Sequence, residues 1–154
     1  MTPSETLRSL NLTLPSVAPP AGSYVPALRD GDHVYTSGQL PFEEGKLLLK
    51  GKVPSDVPLD VAQRAARQAA LNGLAAIASA VGGLDAVERI VRVCVYVNSA
   101  PDFFEQPKVA NGASDLLTQI FGDMGRHARS AVGVAELPLN ACVEVEILAR
   151  LRRN

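Results

Sequence analysis

The stretch LDVAQRAARQAALNGLAAIASAVGG, residues 59–83, narrows most what this chain can fold into. From Val61 to Val81 it holds no proline, and Ala62, Ala66, Ala69, Leu74 and Ile77 recur at helical spacing, so a long helix is expected there. Asp60 stands where it can cap this helix, with Gln63 completing a D-x-x-Q capping box, and Gly82-Gly83 marks its end. Alanine side chains are small, so the helix can approach a sheet closely and lay one face flat on strands. The remaining chain must supply that sheet.

Strand signals lie on both sides. YVPALRDGDHVYTSGQL offers two short strands about an Asp30-Gly31-Asp32 turn, which predicts a hairpin, and a further short strand is expected at Lys46 to Leu49. Ile90 to Ser99 is β-branched and reads as a strand with a buried face. A second helix is centred on KVANGASDLLTQIFG, with Leu116, Leu117, Ile120 and Phe121 as its inner stripe and Gly122 as its stop. The stretches ARSAVGV and CVEVEILARL, joined by a turn around Pro138 to Asn140, are expected to form a second hairpin. The order ββ(β)αβαββ favours an α+β fold, a mixed or antiparallel sheet with two helices packed on one face. At 154 residues this is one domain, with residues 1–20 as an extended lead-in arm rich in proline and residues 21–154 as the folded unit.

The chemistry is bounded by what is missing from this pattern. Fifteen basic and sixteen acidic residues give a net charge of −1, so no broad footprint for nucleic acid or an anionic membrane exists, and an anion must be held locally. Cys94 and Cys142 both lie in apolar runs and are expected as buried free thiols. His33 and His127 have no neighbours at ligand spacing, so no metal site is expected. No run reaches a membrane span and the first residues lack the pattern of a signal peptide, which makes a soluble, cytoplasmic protein the expectation.

Arg129, at the mouth of an apolar strand, presents a planar fork matched to a carboxylate, or else serves a structural ion pair. Glu144 and Glu146 share one strand face by the two-residue period. Enclosed between Val143 and Val145, Glu144 can have its pKa raised and handle a proton; in open water both are ordinary carboxylates. If the last two strands form a hairpin, Glu144 sits opposite roughly Val134 and Arg129 lies on the order of 17 Å further along. A bulge at Gly133, the reach of the arginine, or an arrangement across subunits is then required. Ser37-Gly38 can offer a hydroxyl and a close backbone approach, or merely turn the chain, and Tyr24 can reach a site or pack at an interface. The mixed acidic and apolar face of the last strand suits contact between copies in a homo-oligomer, with a solvated face as the alternative.

YTSGQLP, the alanine-rich helix, VRVCVYV and ARSAVGVAELPLNACVEVEI, in this order, resemble the Rid family, also called YjgF-like and, in older usage, endoribonuclease L-PSP. The resemblance covers about residues 20–150. It implies a chorismate-mutase-like fold, a homotrimer with clefts between subunits, and cofactor-independent hydrolysis of 2-imino or enamino acids to 2-keto acids and ammonia. Carried onto this sequence, it implies that Arg129 clamps the substrate carboxylate and that Glu144 positions or protonates the attacking water. Tyr24, Ser37 and Gly38 would line the pocket, the peptide at Ala131 would touch the substrate, and Asn111 or Ser114 would supply a group from the second helix. The chain reads GSYVP where the family has G-P-Y-S, and Ala131 where many members have cysteine, which suggests a divergent branch. Two other readings stand beside the deaminase: a module that binds a small carboxylate or a protein without catalysis, and an endoribonuclease or translation inhibitor.

Overall fold

The alanine-rich stretch forms a helix, Leu59–Val81, in the computed structural model, which describes residues 1–20 and 22–153. The expected domain limits at residues 21 and 154 thus lie outside the described residues. In chain order the elements are α1 (Pro3–Ser9), β1 (Ala27–Asp30), β2 (His33–Thr36), β3 (Phe42–Glu43), β4 (Lys46–Leu47), α2 (Leu59–Val81), β5 (Val87–Asn98), α3 (Gln106–Phe121), β6 (Ala128–Val134) and β7 (Val143–Leu151). The helix start differs from the sequence expectation. Pro58 is the N-cap and no side chain caps the helix; the amide of Ala62 already bonds to the Pro58 carbonyl, which places Asp60 inside the first turn. There its charge still favours the helix N-terminus. The other end is as expected: Gly82 adopts φ +83°, and its amide bonds to the Ala78 carbonyl.

The main sheet has the strand order β1-β2-β7-β5-β6, and the pair β3-β4 stands apart. β1 and β2 form the expected hairpin, Asp30 opposite His33 across Gly31-Asp32. The second expected hairpin does not form. β6 pairs parallel with β5, and β7 pairs antiparallel with the opposite edge of β5, so β5 separates them. A parallel pair needs a crossover, and α3 supplies it between β5 and β6. Residues 135–142 then pass over the end of β5, turning at Pro138–Asn140, where Leu139 and Asn140 have positive φ.

Asn98, at the end of β5 and only 1% exposed, holds that passage. Its backbone amide donates to the Cys142 carbonyl (3.0 Å), and its side chain donates to the Ala141 carbonyl (3.1 Å). Lys52 Nζ donates to Asn98 Oδ1 (2.9 Å) and to the Ala135 carbonyl. A buried polar side chain with its donors and acceptors filled in this way specifies one path for the chain.

Val93, Val95 and Val97 of β5 and Val143, Val145 and Ile147 of β7 are buried beneath α2 and α3. Val109, Ala110, Ala113, Leu116, Leu117 and Ile120 line the inner face of α3, with Phe121 packed partly against it. Among the described residues the other face of the sheet carries no helix. It presents Leu28, Tyr35 and Val132, which are 59%, 46% and 45% exposed, among Cys94, Tyr96, Glu144 and Glu146. Cys142 is buried, and burial pushes its thiol up to about 11, whereas Cys94 is only half-buried on the open face; both are free.

The lead-in arm is not extended throughout. Thr2 and Glu5 form a reciprocal capping box around α1, Leu7 enters the core, and Ser4 N donates to Asp85 Oδ1 (2.8 Å). Thr2, Pro3 at the first helical position and Glu5 together outweigh the later prolines, which act only beyond residue 14. No helix among the described residues is long and apolar enough to cross a membrane.

Candidate functional site

Arg129 lies on the edge strand β6, opposite Val93, and so turns toward the helix layer. Its Nη1 donates to Asn111 Oδ1 (2.8 Å) and to Ser114 Oγ (3.1 Å), both on α3 one turn apart. Both candidates for the second-helix group therefore touch the same guanidinium nitrogen. Ser114 Oγ is also 2.9 Å from His127 Nε2, and His127 Nδ1 is 2.6 Å from the Gly125 carbonyl. Among the described residues no carboxylate pairs with Arg129. Nη2 and Nε make no hydrogen bond among those residues and can receive a planar anion. Ala131 follows two residues on, partly buried against the core, on a strand whose outer edge has no neighbouring strand among the described residues.

A second group gathers around Glu144. Tyr35 pairs with Leu148 and Gln39 with Val145, so Thr36, Ser37 and Gly38 oppose only Glu146 and Ile147. That is one residue in excess, a β-bulge. It carries Gly38 against Glu144, so closely that any β-carbon at position 38 would overlap the Glu144 carboxyl group. Ser37 Oγ donates its hydrogen to the Val25 carbonyl (2.6 Å), which ties the segment of Tyr24 to the bulge and leaves the hydroxyl only its lone pairs for a ligand. Tyr24 itself is exposed.

Burial raises the Glu144 pKa, and the charge of Glu146 raises it further. Glu146 accepts a hydrogen bond from the Tyr96 hydroxyl (3.2 Å), and burial together with this carboxylate pushes Tyr96 up to about 12. Glu146 and Tyr96 thus occupy one another, while Glu144 makes no hydrogen bond among the described residues.

The sequence-level candidates fall into two sets on opposite sides of one sheet. Asn111, Ser114, Arg129 and Ala131 belong to the helix side at the β6 edge; Ser37, Gly38 and Glu144 belong to the open face around β7. Tyr96 stands between Glu144 and Val132 in the pairing, so the distance expected from a hairpin does not apply. One set offers a fork for an anion, the other a carboxyl group that keeps its proton to higher pH than an ordinary carboxylate does. Among the described residues no three His, Cys, Asp or Glu side chains gather as a metal site.

The sequence surroundings of His127 offer no neighbour at ligand spacing and so give it no role of its own. Its spacing from Arg129, two residues along one strand entrance, would have signalled a shared side. The partner Ser114 lies a helix away and could be found only with the fold. Arg126, next to it, pairs with Asp123 in the open, and neither touches the group.

The family described as "YjgF/chorismate_mutase-like, putative endoribonuclease" matches residues 5–151. Protein TCP17 of Trypanosoma cruzi is 44% identical over 146 residues, covering 94% of this chain and 91% of the relative. A 2-iminobutanoate/2-iminopropanoate deaminase of Dermatophagoides farinae is 30% identical over 135 residues, covering 88% and 91%. Among solved structures, one from Shewanella oneidensis, described as a "putative endoribonuclease", superposes with a TM-score of 0.94 at 38% identity, covering 98% of this chain and 100% of that one.

Proposed function

Because the chain belongs to the YjgF/chorismate mutase-like family, the Rid family, we propose that it hydrolyses 2-imino or enamino acids to 2-keto acids and ammonia, without a cofactor, in clefts between the copies of a homotrimer. The observation that carries this reading is the division of the polar groups: an anion-matched guanidinium edge on one side of the sheet, a protonatable Glu144 on the other. A 2-imino acid places its carboxylate one bond from the electrophilic C=N carbon, so both groups must reach one small molecule. Within a single chain they face apart. Two copies packed with the open face of one against the β6 edge of the next bring them together, and the exposed apolar residues of that face suit such contact.

In that cleft Nε and Nη2 of Arg129 hold the carboxylate and fix the plane of the imine. Glu144, from the neighbouring copy, orients a water on the C=N carbon and passes a proton toward the nitrogen as the new C–O bond forms. Glu144 takes a proton from the added water and passes it to the amine nitrogen, the C–N bond breaks to release ammonia, and the hydroxyl proton of the intermediate returns to Glu144 as the C=O bond of the keto acid closes. A raised pKa suits both directions of transfer, because it brings the protonated and ionised forms of Glu144 closer in free energy at neutral pH than they are in an ordinary carboxyl group. Gly38 lets the carboxyl group lie against the backbone.

The experiment generates 2-iminopropanoate or 2-iminobutanoate with an amino acid oxidase and traps it with semicarbazide. The protein is expected to lower the trapped signal and Arg129→Ala to leave it unchanged. Equal loss with both proteins would overturn the role of Arg129, and no loss with either would leave a carboxylate-binding module without catalysis.

A further inference from the structure

We propose that His127 is a positioning residue that acts through Ser114 to lock the guanidinium of Arg129 in the orientation that receives a carboxylate. This deepens the reading of Arg129 as the carboxylate clamp and rests on it for its functional meaning. The direction of every hydrogen bond in the group follows from one fixed point. The Gly125 carbonyl can only accept, so at 2.6 Å His127 Nδ1 carries the proton. Burial, with the charge of Arg129, holds His127 below the usual imidazole range, so the ring is neutral and Nε2 is an acceptor. The hydrogen of Ser114 Oγ must then point to Nε2, 2.9 Å away, which turns the oxygen lone pairs toward Arg129 Nη1 at 3.1 Å. Asn111 Oδ1 takes the other hydrogen of Nη1.

Both hydrogens of Nη1 are thus used, and the guanidinium plane is fixed. Nε and Nη2 form its side edge, a two-donor match for a carboxylate. With the other histidine tautomer, Ser114 would accept from His127 and could turn its own hydrogen toward Arg129, replacing an attraction by a repulsion.

The test uses the whole protein with Arg129 followed by ¹⁵N NMR, reading how fast its guanidinium rotates, beside KM and kcat for the trapped-imine reaction. Glutamine at 127 can place an acceptor where Nε2 stands, whereas asparagine can place only a donor at the Gly125 carbonyl. His127→Asn and Ser114→Ala are expected to speed rotation about tenfold and raise KM about tenfold with kcat little changed, the loss of roughly one hydrogen bond to a charged group. His127→Gln is expected to stay near wild type in both. The reverse order, with His127→Asn intact and His127→Gln loosened, would make His127 only an anchor for the Gly125 turn and overturn the proposal, as would unchanged rotation in every variant. Should the wild type turn over no imine while the rotation pattern holds, the reaction falls and the positioning role stands.

Discussion

Glu144 is a carboxyl group pressed against Gly38, with Glu146 beside it and, among the described residues, no donor to relieve its charge. Its proton is therefore held more tightly in the folded protein than in the unfolded chain. A raised carboxyl pKa means that the ionised form opposes folding: the stability of the protonated state is fully present below the unfolded pKa and is lost as pH rises through the folded one. Glu144→Gln removes that opposition. The variant is expected to melt higher than wild type at pH 7, the gap to close on acidification to about pH 4, where the unfolded carboxyl is itself half protonated, and hydrolysis to be lost. A variant that melts lower at neutral pH would show that Glu144 is stabilised by its charge. The residue types at this site were legible from RSAVGVAELP and VEVEI. Their surroundings were not, because the extra residue at Thr36 to Gly38 that brings Gly38 to Glu144 shows itself only in the pairing with β7.

Helices α2 and α3 cross where Gly112 meets the carbonyl of Gln63, so closely that a methyl group at 112 would overlap the Gln63 backbone. Gln63 Nε2 donates to the Lys108 carbonyl at the same crossing (2.6 Å). Gly112 follows Asn111 directly and stands two residues before Ser114, so this contact sets the distance from α3 to Arg129. Gly112→Ala is expected to destabilise the fold by about 1–3 kcal/mol through overpacking, read by chemical denaturation, and to weaken carboxylate binding beyond what stability explains. An unchanged midpoint would mean that the crossing yields without cost. Both helices were legible from the 3.6-residue period. The partner of β6 was not: Pro138 to Asn140 has the composition of a hairpin turn, yet the same residues serve a passage over the end of β5. What decides between the two is Asn98, the buried polar side chain at the end of β5, whose partners Ala141, Cys142 and Lys52 are remote in sequence. Thr2-Pro3-Ser4-Glu5 did carry a readable helix start, obscured by the proline-rich stretch that follows it.

At the scale of the molecule, a sheet covered by helices on one side and bare on the other divides the candidate site into halves that cannot serve one substrate within one chain. The fold class was readable from the order of helix and strand patterns, and a function across subunits was one of three ways to reconcile the spacing of Arg129 and Glu144. The register of the sheet removes the hairpin on which that spacing rested and leaves the halves on opposite faces. The proposed hydrolysis therefore depends on sites shared between copies. Arg129→Ala and Glu144→Gln proteins, each inactive alone, should be mixed in equal amounts, unfolded and refolded together to exchange subunits, and assayed for loss of trapped 2-iminobutanoate. In a closed ring each site needs an intact Arg129 from one copy and an intact Glu144 from the next, so random assembly is expected to restore roughly a quarter of wild-type activity. A mixture as inactive as its components, with wild type recovering fully through the same treatment, would contradict a site shared between subunits.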